Sequence, residues 1–330
     1  MFGLIEINLT GNPLDSAIPD SFAALRERNV DILLDDTPLN GYVKSHLMAR
    51  EEFSHPHRFR LGHGDMIGLR PTMEDAFGVV SPYMGSPHRD FFALYDGHAG
   101  RVAALFSGQK HPNILAECLG FPAVGEGETS KRESLESKQI ELAEDVASKI
   151  SKSFFELNDK LEAHGKETGD HSVNTQGCTG VFCFIDADWK CYIANVGDSR
   201  AVLCSGGKAI RLSRDHKPSS EEEEVRIREL GGFVTADGKS TSGGRVNGTL
   251  GVSRSIGDFF VHPFVSCQPY MASYQFGKED EFLILACDGV WDEVDDQAAV
   301  DIVRQETNPY KVFILCFFAE QIQSFHCEQQ

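Results

Sequence analysis

The stretch FFALYDGHAG (residues 91–100) begins as an apolar strand and stops at Asp96, Gly97 and His98. FLILACDGVWD (282–292) repeats the device, with an apolar run broken at Asp288-Gly289. Asp75 follows RPTME at the edge of another such run, and Asp198 follows YIANVG. A single Asp at a strand end reads as a turn residue or a helix cap. Four of them gathered into one pocket could not all stay ionised without a cation.

Oxygen ligands with no His or Cys set suit Mg2+ or Mn2+, not zinc. The glycine after Asp96 permits close backbone approach, which makes the Gly97 carbonyl a further candidate ligand. Two ions held by carboxylates generate a hydroxide nucleophile and clamp the oxygens of an in-line phosphoryl displacement. Such chemistry also needs a phosphate clamp and an acid for the leaving alcohol. Arg70, four residues before Glu74, carries a planar fork matched to phosphate. His98 suits protonation of the leaving oxygen near neutral pH.

Outward from these motifs, the chain reads as short apolar strands between glycine-rich turns. Strands are expected at 76–81, 91–96, 179–186, 190–196, 200–204, 209–212 and 282–287. Apolar residues at helical spacing predict one or two helices over 130–164, ending at Gly165, after a polar loop at GEGETSKRES (125–134). SSEEEEVRIREL (219–230) has the serines and glutamates of a helix start, and its glutamates read as a solvated first turn. Strands dominate and several are hairpin-like, as in FCFIDADWKCYIANV, which points to an antiparallel α+β fold.

The 330-residue chain carries a formal charge of −19, which argues against partners that need a basic footprint, nucleic acid or an anionic membrane. A phosphorylated substrate stays compatible, because bound ions reverse the local sign. Nine cysteines without CxxC pairs, among them Cys183, Cys191 and Cys287 in apolar runs, read as reduced core thiols of a cytoplasmic or nuclear protein. No secretory leader and no membrane-spanning run is legible.

The first 45 residues differ in texture. LIEINLTGN (4–12) fits a leucine-rich repeat template through Leu4, Ile7, Leu9 and Asn12. One and a half repeats cannot bury their own face. The segment reads either as the end of an array, offering a surface to a protein partner, or as a strand-plus-helix leader that matches by chance.

Rival phosphoryl and hydrolytic chemistries fail on spacing. CSGGKAIR (204–211) has six residues between Cys and Arg, one too many for a cysteine phosphatase loop, and its SGGK reads as a hairpin turn. No G-x-x-x-x-G-K-[ST] phosphate-binding loop and no G-x-S-x-G elbow is present.

The chain closely resembles the PP2C-type, metal-dependent Ser/Thr protein phosphatases. The blocks that carry the likeness are RPTMEDAF (70–77), FFALYDGHAG (91–100), GCTGVFCFI (177–185), CYIANVGDSRAVL (191–203), LSRDHKPSSEEEEVRIRELGGFV (212–234), RVNGTLGVSRSIGDF (245–259) and FLILACDGVWDEV (282–294). The resemblance implies a central antiparallel β-sandwich flanked by helices, spanning 58–310, with a divergent tail at 311–330. It implies a phosphoprotein substrate and two ions, Mg2+ or Mn2+. Asp96 would bridge them, the Gly97 carbonyl would bind one and Asp288 the other. Glu74 and Asp75 would orient metal-bound waters, Arg70 would hold the phosphate and His98 would be the acid. Asp198 and Asp292 match positions of a weaker third ion.

The far end departs from the pattern. The family closes with a Gly-Ser-x-Asp-Asn segment, whose Asp is a ligand, followed by a final strand. Here no Asp follows Asp301, so that ligand is missing. The final strand is not recognisable either, which leaves the sandwich short of its last strand unless VFILCFF supplies an apolar replacement. The main expectation is a protein phosphatase working by attack of a metal-bound hydroxide. Its alternative is an impaired phosphatase-like module that binds partners.

Overall fold

Strand β3 (Asp90–Tyr95) is buried along its whole length, and the two faces of its pleat enter different cores. Phe91, Ala93 and Tyr95 join one apolar cluster, while Phe92 and Leu94 join another. β6 (Gly180–Ile185) divides the same way, with Phe182 and Phe184 on one side and Val181, Cys183 and Ile185 on the other. A strand covered on both faces reads as a continuous apolar run, which is why these segments show no polar alternation.

The computed structural model describes residues 60–64, 70–86, 88–121, 142–235, 243–306 and 312–316. The leucine-rich reading of residues 1–45 and the polar loop at 125–134 lie outside the described residues. Two five-stranded sheets form the sandwich. One runs β13 (Tyr270–Gln275), β7 (Lys190–Val196), β6, β3 and β2 (Ala76–Val80), antiparallel throughout. The other runs β1 (Arg60–Gly64), β15 (Val312–Cys316), β14 (Asp280–Ala286), β8 (Arg200–Ser205) and β9 (Lys208–Arg211).

The inner core is made by Phe92, Leu94, Val181 and Ile193 of the first sheet against Ala201, Leu203, Leu283 and Leu285 of the second. Helices α1 (Val102–Leu119) and α2 (Leu142–Thr168) cover the outer face of the first sheet through Leu115, Ile150, Phe154 and Leu157. On the second sheet, α4 (Asp288–Trp291) and α5 (Asp296–Glu306) pack Trp291, Val300 and Val303 over Val202, Phe282 and Ile284. The architecture is the α+β sandwich expected from the sequence.

Three features differ from the reading of the sequence. The place of the last strand is filled, because β15 lies between β1 and β14. It pairs parallel to both, an exception to the antiparallel expectation that follows from the helical crossover through α4 and α5. Helix α2 does not stop at Gly165 but continues to Thr168. A Cβ at Gly165 would lie 2.9 Å from the Val173 side chain, so this glycine makes room for a neighbour and is no cap. Helix α1 escaped notice because Pro112 sits inside it.

The glutamates opening α3 (Glu221–Glu229) are not all solvated. Glu223 is buried and receives Arg226 at 2.8 Å and Arg254 at 2.5 Å. Burial alone would raise its pKa, but the two guanidiniums pull it down from 4.5 to about 2. A depressed carboxylate stabilises the fold above its unfolded value, and that contribution is lost as pH falls through the folded value. Glu223→Gln should therefore flatten the part of the acid-unfolding curve between 4.5 and about 2, read by circular dichroism against pH. An unchanged acid limb would contradict the ion pairs.

His111 sits among aromatic rings, 4.7 Å from Phe154 and 5.3 Å from Phe182 between centroids. Ser153 Oγ donates to the Ile150 carbonyl and so accepts from His111 Nε2, which leaves Nδ1 to accept from the Tyr95 hydroxyl at 2.7 Å. Burial pushes the imidazole down to about 3, so it serves as a neutral core group. Phe154 stacks on Phe182 at 5.4 Å beside this ring. Phe154→Ala should cost about 3–5 kcal/mol in urea unfolding, and a loss below about 1 kcal/mol would show that the cluster repacks.

Candidate functional site

Strand register delivers the acidic residues to one end of the sandwich. Ala76 pairs with Tyr95, so Asp75 and Asp96 stand one step beyond on neighbouring strands. Leu94 pairs with Val181 and Gly180 with Val196, which brings the turn at Gly197-Asp198 to the same edge. In the other sheet Ala286 pairs with Arg200, so Cys287 and Asp288 leave β14 beside the start of β8. Because side chains alternate, a slip of one residue in any of these pairs would turn its carboxylate away from the others.

Carboxylate oxygens of Asp96 and Asp288 and the Cys287 sulfur all lie within 4.8 Å of one another. Asp75 Oδ2 is 3.8 Å from Cys287 Sγ. Burial first, then the charges of Asp75 and Asp198, hold the Asp96 carboxyl well above the usual carboxylate range. Asp288 is raised by burial and by Asp198 and Asp96, against the pull of Lys217. Carboxylates that resist sharing their charge are a donor set for a hard divalent cation, and their oxygen chemistry fits Mg2+ or Mn2+. Cys287, read from sequence as a core thiol, also belongs to this cluster, and burial pushes its thiol well up.

Asp198 and Asp292 are brought together around a residue that the sequence reading did not single out. Lys217 Nζ donates to Asp198 Oδ2 at 2.6 Å and lies 4.0 Å from Asp292 Oδ1. Burial would lower the Lys217 pKa, but Asp198, Asp292 and Asp288 raise it, so the ammonium is a fixed positive charge in the pocket. Lys217 was present in the quoted block LSRDHKPSS, but the chemistry of a lone surface lysine gave no reason to pick it.

A small three-stranded sheet, β12 (Ile256–Gly257), β5 (Gly177–Cys178) and β4 (Gly97–His98), holds the imidazole. His98 pairs with Gly177, and Gly177 pairs with Gly257. This places Asp258, the next residue, so that its Oδ2 meets His98 Nε2 at 2.7 Å. Burial opposes protonation of His98, but the Asp258 hydrogen bond and the charges of Asp258, Asp96 and Asp198 outweigh it and raise its pKa. The sequence reading missed Asp258, which lies 160 residues from His98.

Glycines make these approaches possible. A Cβ on Gly97 would lie 2.4 Å from the Glu74 carbonyl oxygen. One on Gly177 would lie 2.1 Å from Asp258 Oδ2 and 2.7 Å from His98 Nε2. Glu74 itself accepts from Thr72 Oγ1 at 3.0 Å and from the Gly100 amide at 3.2 Å, which ties the segment before β2 to the DGHAG turn. Arg70 lies exposed at the start of that segment. The SGGK segment forms the β8–β9 hairpin turn, with Gly206 and Gly207 at positive φ.

Comparison with known proteins agrees with this fold. The family described as protein phosphatase 2C matches residues 59–329. "Protein phosphatase 2C homolog 1" of Saccharomyces cerevisiae is 32% identical over 283 residues, covering 80% of this chain and 89% of the relative. The Schizosaccharomyces pombe protein of the same name is 34% identical, covering 73% of this chain and 62% of its own length. "Probable protein phosphatase 2C 2" of Arabidopsis thaliana is 36% identical, covering 72% and 55%. The chain thus spans about two thirds or less of the last two. Among solved structures, a serine-threonine phosphatase 2C from Toxoplasma gondii shares the fold with a TM-score of 0.60 at 22% identity, covering 72% of this chain and 80% of that one. A C. elegans sex determining protein shares it with a TM-score of 0.61 at 24% identity, covering 75% and 56%. The chain belongs to the protein phosphatase 2C family of Ser/Thr protein phosphatases.

Proposed function

We propose that this chain removes phosphate from phosphoserine and phosphothreonine in proteins, using two divalent ions, Mg2+ or Mn2+. The observation that carries the reading is the meeting of Asp96 and Asp288, from strands of different sheets, within 4.8 Å at a pocket that also holds Asp75, Asp198 and His98. Asp96, the Gly97 carbonyl and Asp288 would hold the ions, and Glu74 and Asp75 would act through ordered water. Asp198 and Asp292 would hold a weaker third ion, in competition with the Lys217 ammonium that donates to Asp198. When bound, the ions activate water and neutralise the phosphoryl oxygens.

The remaining steps belong to side chains of this chain. Arg70, exposed at the mouth of the segment leading into β2, binds the substrate phosphate through its guanidinium fork. His98, only partly covered, gives a proton to the leaving serine or threonine oxygen. Seven cysteines among the described residues are free thiols, which supports a reducing compartment, cytoplasmic or nuclear. The leucine-rich pattern of residues 1–45 supports a protein-binding role for that segment.

Hydrolysis of a phosphothreonine peptide with Mn2+, with and without EDTA, tests the activity beside an Asp96→Asn control. Metal-dependent phosphate release should exceed that of the control by about 100-fold or more. Equal rates would sink the proposal. Thermal unfolding provides a second check that needs no turnover. Without metal, Asp96→Asn should be more stable than the wild type by roughly 1 kcal/mol, because it removes one crowded charge. Mn2+ at a hundred times its dissociation constant should stabilise the wild type by about 2.7 kcal/mol and the variant far less. An equal response in both would remove Asp96 from the ligand set.

A further inference from the structure

We propose that Asp258 is the positioning residue for His98: it holds the Nε2–H of the imidazole and thereby assigns Nδ1 as the nitrogen that serves the leaving oxygen. The proposal rests on the reading of His98 as the acid. Its geometry stands on four observations. Asp258 is fully buried, whereas the His98 side chain is 27% exposed, so the pair runs from the interior toward the pocket. Asp258 Oδ2 takes two donors, His98 Nε2 at 2.7 Å and Ser255 Oγ at 2.5 Å. Its Oδ1 is buried with no partner among the described residues, an arrangement that costs free energy. The residue itself sits at φ 53°, a left-handed conformation that a non-glycine residue holds only under constraint from its surroundings.

Those surroundings are rigid. The Gly257 amide donates to Asn158 Oδ1 of α2 at 2.9 Å, and the Asp258 amide donates to the Gln176 carbonyl at 3.0 Å. The Ser255 amide donates to the Ser266 carbonyl at 3.1 Å. Gly177 leaves the gap in which the carboxylate and the imidazole meet, since any side chain there would overlap both. A left-handed, half-satisfied buried carboxylate tied down from three directions is an expensive way to end a turn. Aiming one oxygen at His98 is what the arrangement achieves.

In the reaction the imidazole enters carrying protons on both nitrogens. The phosphorus–oxygen bond to the leaving serine or threonine breaks as a water oxygen bonds to phosphorus, and the Nδ1 proton passes to the departing oxygen. His98 is left neutral with its proton on Nε2, still donated to Asp258. Without the carboxylate, either nitrogen could carry the remaining proton and the ring could rotate. An ionised carboxylate behind an imidazole fixes tautomer and orientation in just this manner.

Two measurements test the proposal. Nitrogen-15 spectra of histidine-labelled full chain report tautomers directly and require no activity. His98 should appear as the Nε2–H form when neutral, and Asp258→Asn should mix the two tautomers. A wild-type His98 in the Nδ1–H form would overturn the proposal. Kinetics supply the second. A proton donor matters for an alkyl leaving group and little for nitrophenolate. Asp258→Asn should thus lose at least about tenfold more rate on a phosphothreonine peptide than on p-nitrophenyl phosphate. The Asp258→Asn/His98→Gln double variant should be no slower on the peptide than His98→Gln alone. Equal losses on both substrates, or additive losses in the double variant, would overturn the assignment. Ser255→Ala, which keeps the carboxylate but loosens it, should show a smaller bias of the same sign, and it carries the test if Asp258→Asn does not fold. Absence of metal-dependent hydrolysis in the wild type would refute the phosphatase reading, and the tautomer spectra would still decide the role of Asp258.

Discussion

Crowding of carboxylates at one end of the sandwich is the constraint around which the rest of the molecule is arranged. Asp96 is held well above the usual carboxylate range by burial and by the charges of Asp75 and Asp198, and Asp288 by burial and by the charges of Asp198 and Asp96. A fold gains nothing in stability from such a cluster, since apolar residues in the same places would pack without repulsion. It persists because both sheets terminate there in fixed register, and the register is enforced elsewhere. The inner core between the sheets, from Phe92 and Leu94 to Leu283 and Leu285, sets how the strands align. The acidic residues are the first positions past the end of that core.

This division of labour also explains which parts of the protein were legible in its sequence. β3, β6, β8 and β14 are covered on both faces, so each left an unbroken apolar run ending in a turn signal. The clustered carboxylates were legible for the same reason, as polar residues where burial should have continued. Other features depend on long-range pairing that leaves no local trace. Asp258 reaches His98 only because β12, β5 and β4 lie side by side, and nothing near IGDF announces it. Lys217 looks like any solvent lysine until the turn at Gly197-Asp198 meets it. Gly165 resembled a helix stop because packing against Val173 has the same sequence symbol as a cap. Glu223 resembled its solvated neighbours because its arginine partner Arg254 comes from a distant loop.

The filling of the sheet between β1 and β14 shows how tolerant such a core is of a change in sequence. Residues 312–316, VFILC, supply an apolar strand where the family pattern carries a different segment. Backbone pairing asks only for an extended run of suitable length, and β-branched and large apolar residues satisfy it. A ligand carboxylate is a different kind of requirement, met by one atom at one place. A strand can therefore be replaced by composition alone, whereas a metal ligand cannot.

Charge pairing beyond the pocket follows from the same economy. Arg200 lies next to the site, two residues after Asp198, yet its guanidinium is engaged by Asp215 and Asp296 and stacks 5.0 Å from the Trp291 ring. Arg211 adds a second contact to Asp296, which anchors the start of α5 to β9. Arg226 and Arg254 are likewise committed to Glu223. Each of these arginines is satisfied by a carboxylate outside the acidic cluster, and the pairs Arg200–Asp215 and Arg211–Asp296 are bidentate. With these arginines committed to carboxylates outside the acidic cluster, Lys217 is the fixed cation that the described residues show donating to it.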